Sequence, residues 1–127
     1  MGGSLQSLVR HLALVTVHIH LGPISKFPAS NTKEYTVELH GQSIDLFVVK
    51  QDEHYYAYRN QCPHTGVNLN WQPDVFLSFD GQHIQCALHG ALFRIDNGYC
   101  EYGPCLGRSL QTITVETSNN ELFAVFD

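Results

Sequence analysis

Cys62-Pro63-His64 and Cys86-Ala87-Leu88-His89-Gly90 decide the reading of this chain. Each segment puts one thiol and one imidazole on a short loop, and glycine follows each, Gly66 and Gly90. Twenty-one residues separate His64 from Cys86. Two separated loops therefore offer a two-cysteine, two-histidine ligand set. A sulfide-bridged pair of irons takes thiolates well. With two histidines on one iron and two cysteines on the other, such a set suits a [2Fe–2S] centre. Zinc accepts the same four donors in one tetrahedron. The usual finger spacing, however, places two cysteines together and then two histidines on a helix. Here each box mixes the two, and no amphipathic helix follows His89. The spacing favours iron–sulfur, with zinc or a vestigial site as the alternative.

The order C-x-H then C-x-x-H, with its glycines, resembles the Rieske iron–sulfur protein family over residues 34–126. The resemblance implies an all-β fold, an antiparallel β-sandwich or barrel carrying a small cluster-binding subdomain at about 61–106. It implies a [2Fe–2S] cluster held by Cys62, His64, Cys86 and His89. Cys62 and Cys86 would bind the buried iron, and His64 and His89 the outer one. Replacing two thiolates by neutral imidazoles removes two negative charges and eases reduction. A histidine on the outer iron can also couple proton loss to oxidation.

Gly103-Pro104-Cys105 is a third point of resemblance, since the family covers its cluster with a proline-bearing loop. Proline fixes the backbone and brings no N–H donor. Gly103 and Gly107 would allow close approach. An ordinary turn into the last hairpin is the bland alternative. Cys100 and Cys105 read as small buried apolar residues; a disulfide between them would be rare in a reducing cytoplasm.

Departures from the family pattern carry information. High-potential members resemble this chain in their ligands but join the two loops by a disulfide; Val67 and Leu88 stand at those positions here. Those members also aim a serine and a tyrosine hydroxyl at cluster sulfurs; Ala91 and Phe93 stand there here. Donors to sulfur stabilise the reduced, more negative cluster, so their loss lowers the potential. The chain therefore resembles the low-potential ferredoxins of ring-hydroxylating dioxygenases.

Composition sets the outer bounds. A chain of 127 residues suffices for one core. It is 43% hydrophobic and 15% charged, which reads as globular. A formal charge of −5 with no basic stripe argues against nucleic acid. The apolar stretch 5–21 carries Arg10, His11, His18 and His20 and falls short of a membrane span of roughly 20 residues. It reads as an extra element on the domain or a leader, within an extension at 1–33 that precedes a domain at 34–127. His18 and His20 lack a third metal ligand and read as surface residues.

Short strands follow. Tyr35, Val37 and Leu39 alternate with polar residues, the period of a half-buried strand. After a turn at 40–42, residues 44–50 form a strand covered on both faces. Residues 54–59 form a third strand leading to Cys62. Residues 75–79 and 82–85 read as a hairpin around Asp80-Gly81. Residues 91–95 form a short strand, and 111–116 and 121–126 a last hairpin.

Two function classes are implied. One is a cytoplasmic, monomeric electron carrier between a reductase and an oxygenase-type acceptor, with Leu69, Trp71 and Leu88 as candidates for the apolar rim of its docking patch and Trp71 reading equally as core. The other is an accessory subunit of a larger oxidoreductase, similar to the small subunit of nitrite reductase. The complete ligand set favours the first. The sequence carries no evident acid–base pair or mononuclear iron site, so it reads as an electron-transfer protein and not as an enzyme on its own.

Overall fold

The computed structural model describes residues 16–63, 65–70 and 72–127. Residues 1–15, His64 and Trp71 lie outside them. Among the described residues nine strands form two antiparallel sheets. The six-stranded sheet runs β1 (Val17–Pro23), β9 (Glu121–Phe126), β8 (Thr112–Ser118), β4 (His54–Arg59), β3 (Gln42–Gln51), β2 (Thr32–Leu39). The smaller sheet runs β5 (His83–Gln85), β6 (Leu92–Arg94), β7 (Cys100–Tyr102). The antiparallel all-β architecture expected from the sequence is thus present. Among the described residues the only helical element is a 3-10 turn, Ile24–Lys26, and no helix is long and apolar enough to cross a membrane.

β3 explains how the two sheets share one molecule. Its residues alternate between two cores. Leu46 and Val48 enter the first core, with Val37, Ile44, Ala57, Ile113, Leu122 and Ala124. Ile19 of β1 and Tyr35 of β2, from opposite edges of the large sheet, pack against that same cluster. The sheet therefore rolls into a near-barrel. Phe47 and Val49 point the other way, into a second core with Tyr58, Phe76, Phe93, Cys62 and Cys86. All four β3 side chains have no solvent exposure. Burial of each contributes roughly 1.5–3 kcal/mol. Phe47 stacks on Phe76 with ring centroids 4.2 Å apart, which seats the region of the two Cys-His segments on the barrel wall.

Local chemistry sets the turns. His40 and Gly41 both take positive φ between β2 and β3, the conformation of a two-residue hairpin loop. Asp52 and Glu53 do the same between β3 and β4, and Asn119 and Asn120 between β8 and β9. The apolar end of the 5–21 stretch enters β1, which pairs with β9; its first part lies outside the described residues. His18 and His20 each meet a carboxylate, Glu116 at 3.3 Å and Glu121 at 2.5 Å, on the open face of the sheet.

One reading needs correction. Residues 75–79 are not a strand; only Leu77 bridges Ile84. Phe79 is fully exposed and Val75 about half exposed, so their apolar side chains have no sheet face to fill. Ser78 and Asp80 hold this corner instead, through Ser78 Oγ to Asp80 Oδ1 at 2.7 Å.

Alkaline stability follows from Tyr35. Burial, with Asp74 nearby, pushes its hydroxyl up to about 12. The unfolded chain ionises first, near 10. Folding stability should therefore be full below pH 10 and fall as pH rises toward 12. Urea unfolding across that window should show a shallower decline in Tyr35→Phe than in wild type; equal slopes would contradict the assignment.

Candidate metal centre

The two boxes fold as the same turn. Cys62 N–H donates to the Val67 carbonyl at 2.7 Å, and Gly66 N–H to the Cys62 carbonyl at 2.7 Å. Cys86 N–H donates to the Ala91 carbonyl at 2.9 Å, and Gly90 N–H to the Cys86 carbonyl at 2.9 Å. Each loop therefore closes four and five residues after its cysteine. Closure needs a left-handed residue at the fourth place. Gly66 (φ 78°) and Gly90 (φ 69°) supply it without steric cost.

These turns bury both cysteines, and the second exposes its histidine. Cys62 is 2% exposed and Cys86 is wholly buried. His89 lies at the surface. His64 lies outside the described residues, so three of the four sequence-derived ligands are placed. Cys62 and Cys86 lie side by side, close enough for their sulfurs to interact. Burial pushes the Cys86 thiol up, and backbone N–H groups of Leu88 and His89 donate to its sulfur and pull against that shift. A bare thiolate is disfavoured here, and a metal cation would replace the proton. Among the described residues no three His, Cys, Asp or Glu side chains gather round one point. A dinuclear centre asks for only two protein ligands on each iron.

The cover loop comes from β7 onward. A Cβ built on Gly103 would meet Ala91 Cα at 2.8 Å, so the loop lies directly against the second box. Gly107 has nothing within 4 Å of a built Cβ. Its glycine answers to φ 89° and not to the close approach expected from the sequence. Cys105 is buried beside both Cys100 and Cys62, and burial together with Cys100 pushes its thiol up to about 12.

Ala91 is 1% exposed and Phe93 is wholly buried. Neither side chain can donate to sulfur. The nearby Tyr58 hydroxyl donates to the Ile95 carbonyl at 2.6 Å, so it is engaged elsewhere. Burial raises its ionisation well above the ordinary tyrosine value.

Sequence reasoning missed two positioning residues. Asn60 is 4% exposed. Its Oδ1 accepts from Leu69 N–H at 2.8 Å and its Nδ2 donates to Asn70 Oδ1 at 2.9 Å. The Leu69 carbonyl in turn accepts from Ala87 N–H at 2.7 Å, tying the first loop to the second. Arg108 donates from Nη1 to the Pro63 carbonyl at 3.0 Å, tying the cover loop to the first box. Asn60 stands two residues before Cys62, where an asparagine side chain can cap a loop; Arg108 gives no sequence signal. Leu69, a candidate for an apolar docking rim beside Trp71 and Leu88, is wholly buried and cannot serve. Trp71 lies outside the described residues. Val67, Leu88 and Leu106 are exposed, one on each of the three loops.

A model of the Rieske [2Fe-2S] domain matches residues 19–119. The chain belongs to the Rieske [2Fe-2S] domain family. The cofactor it implies is a [2Fe–2S] cluster, and two buried neighbouring cysteines with an exposed histidine fit that group. Solved structures share the fold. The ferredoxin of carbazole 1,9a-dioxygenase from Nocardioides aromaticivorans IC177 aligns with TM-score 0.65 at 18% identity, over 85% of this chain and 96% of that one. A chain in a complex of reduced oxygenase and oxidized ferredoxin in carbazole 1,9a-dioxygenase aligns with TM-score 0.66 at 21% identity, over 85% and 92%. The terminal oxygenase of the Nocardioides system aligns with TM-score 0.67 at 16% identity, over 87% of this chain but 30% of the oxygenase. A comparison with curated protein sequences returns no significant match.

Proposed function

We propose that the chain is a low-potential Rieske-type ferredoxin, which takes one electron from a reductase and delivers it to an oxygenase-type acceptor in the cytoplasm. Cys62, His64, Cys86 and His89 are its proposed ligands, within a Rieske domain at 34–127 whose cluster-binding part spans about 61–106. The observation that carries the reading is the burial gradient: Cys62 and Cys86 inside, His89 at the surface, with exposed Leu88 beside it. A [2Fe–2S] cluster in this site supplies reversible one-electron storage. The protein's part is to shield its sulfur side and present its histidine side. Leu88, Val67 and Leu106 give the presenting surface apolar contacts that desolvate on docking. Leu88 N–H and His89 N–H are the placed donors to Cys86 sulfur, with no hydroxyl from Ala91 or Phe93 beside them.

Protein-film voltammetry tests the reading. A single one-electron wave is expected near the low end of the roughly −150 to +300 mV Rieske range. The Ala91→Ser, Phe93→Tyr double variant should shift it upward, because each hydroxyl would add a donor to sulfur. A wild-type value well above zero, or no upward shift in the variant, contradicts the low-potential carrier.

A further inference from the structure

Cys100 and Cys105 are left over once the cluster ligands are assigned, and their placement is specific. Cys100 sits on β7 opposite Phe93 of β6. Cys105 sits on the cover loop. Their Sγ atoms are 3.5 Å apart, and neither residue has solvent exposure. No disulfide joins them. A bond would need the sulfurs to approach by only about 1.5 Å, to the roughly 2.05 Å of a disulfide. The loop between them is already closed, with Leu106 N–H on the Gly103 carbonyl at 3.1 Å and Cys100 N–H on the Arg108 carbonyl at 2.8 Å. Cys105 also lies within hydrogen-bonding reach of the Cys62 sulfur.

We propose that Cys100 and Cys105 form a reversible dithiol–disulfide pair that locks the cover loop to β7 and removes a donor from the cluster's buried side. A thiol on Cys105 can donate S–H to the Cys62 sulfur. A disulfide cannot. Only four residues lie between the two cysteines. So short a loop restricts the unfolded chain little, so the bond adds little stability and suits a labile role better than a structural one. The proposed oxidant is a low-molecular-weight disulfide. One cysteine sulfur attacks it, its S–S bond breaks, and one small thiol leaves. The other cysteine then attacks the mixed disulfide, the internal bond forms, and the second small thiol leaves. The two cysteines lose two electrons, the small disulfide gains them, and both thiol protons end on the released thiols. Both sulfurs are buried, so the reaction needs the loop to lift at exposed Tyr102 and Leu106.

The pair's geometry stands apart from the carrier reading, while its effect on potential rests on it. The test uses the cluster-loaded chain, incubated anaerobically with glutathione disulfide at graded ratios to glutathione. Samples are acid-quenched, alkylated with iodoacetamide in denaturant and weighed by mass spectrometry. Wild type should pass from four alkyl groups to two in one step, without a retained glutathione adduct. Cys100→Ser should keep all three of its thiols or retain an adduct. Voltammetry should show a lower potential in the oxidised form, restored by dithiothreitol. Persistence of all four alkyl groups at every ratio overturns the pair, and so does a stable mixed disulfide with no internal bond. An unchanged potential after full oxidation overturns the donor role. Visible absorbance reports the cluster throughout, so failure of the cluster assignment is told apart from failure of the pair.

Discussion

Cys86→Ser should lose the visible absorbance and essentially all bound iron, while Cys100→Ser should keep both. The two cysteines are alike in composition and burial; both are wholly inaccessible. They differ in setting. Cys86 opens a hydrogen-bonded loop that ends on Ala91, lies beside Cys62, and receives the Leu88 and His89 N–H groups. Cys100 lies on β7 with its sulfur against the Tyr102 carbonyl at 3.3 Å, a contact a serine hydroxyl can also make. A serine at position 86 keeps the loop but offers a hydroxyl that stays protonated near neutral pH. If Cys86 is a ligand, its loss would also remove the folding energy that cluster binding would supply to these loops. Iron and acid-labile sulfide analysis on both purified variants decides it. Bleaching by the Cys100 change but not by the Cys86 change would reverse the ligand assignment.

Gly103→Ala should be the most destabilising glycine substitution on the cover loop. Two costs combine there. A φ of 107° is strained for any residue with a side chain, at about 1–3 kcal/mol. The new methyl would also lie 2.8 Å from Ala91 Cα and 3.0 Å from its Cβ, and backbone cannot step aside cheaply. Gly107→Ala is the control, with a comparable φ of 89° and open space around it. The difference between the two isolates the loop's contact with the second ligand box. Denaturant unfolding of the cluster-loaded proteins should place Gly103→Ala well below Gly107→Ala, with faster loss of absorbance. Equal midpoints would mean that the loop does not bear on Ala91.

Much of this arrangement was legible in the residues, and the failures have physical causes. Residues 54–59 and 121–126 were read with the bounds they have, because turn residues flank clear strand patterns. β3 was read as covered on both faces, and its alternate side chains do fill two cores. β7 was missed because three residues, Cys100–Tyr102, carry too short a period to register. Residues 75–79 were over-read because Val75, Leu77 and Phe79 alternate as a strand would, yet the pairing with β5 is confined to one isolated bridge, Leu77 to Ile84. Leu69 was assigned to a surface rim because sequence shows that a residue is apolar, not which side of a loop it faces. Asn60 and Arg108 escaped because their partners lie 9 and 45 residues away. The family was legible from the boxes Cys62-Pro63-His64 and Cys86-Ala87-Leu88-His89, because ligand chemistry restricts residue type more tightly than packing does, and the Rieske [2Fe-2S] domain match agrees.

Electron paramagnetic resonance of the dithionite-reduced protein tests the central claim most directly. A one-electron-reduced cluster with two histidines on one iron should give a rhombic signal with an average g value below that of a four-cysteine cluster, integrating to one spin per two irons. Double integration of the spectrum against iron content supplies both numbers from one sample. A spectrum of the four-cysteine type, or no signal from protein that binds zinc instead, would contradict the mixed ligand set and the carrier role built on it.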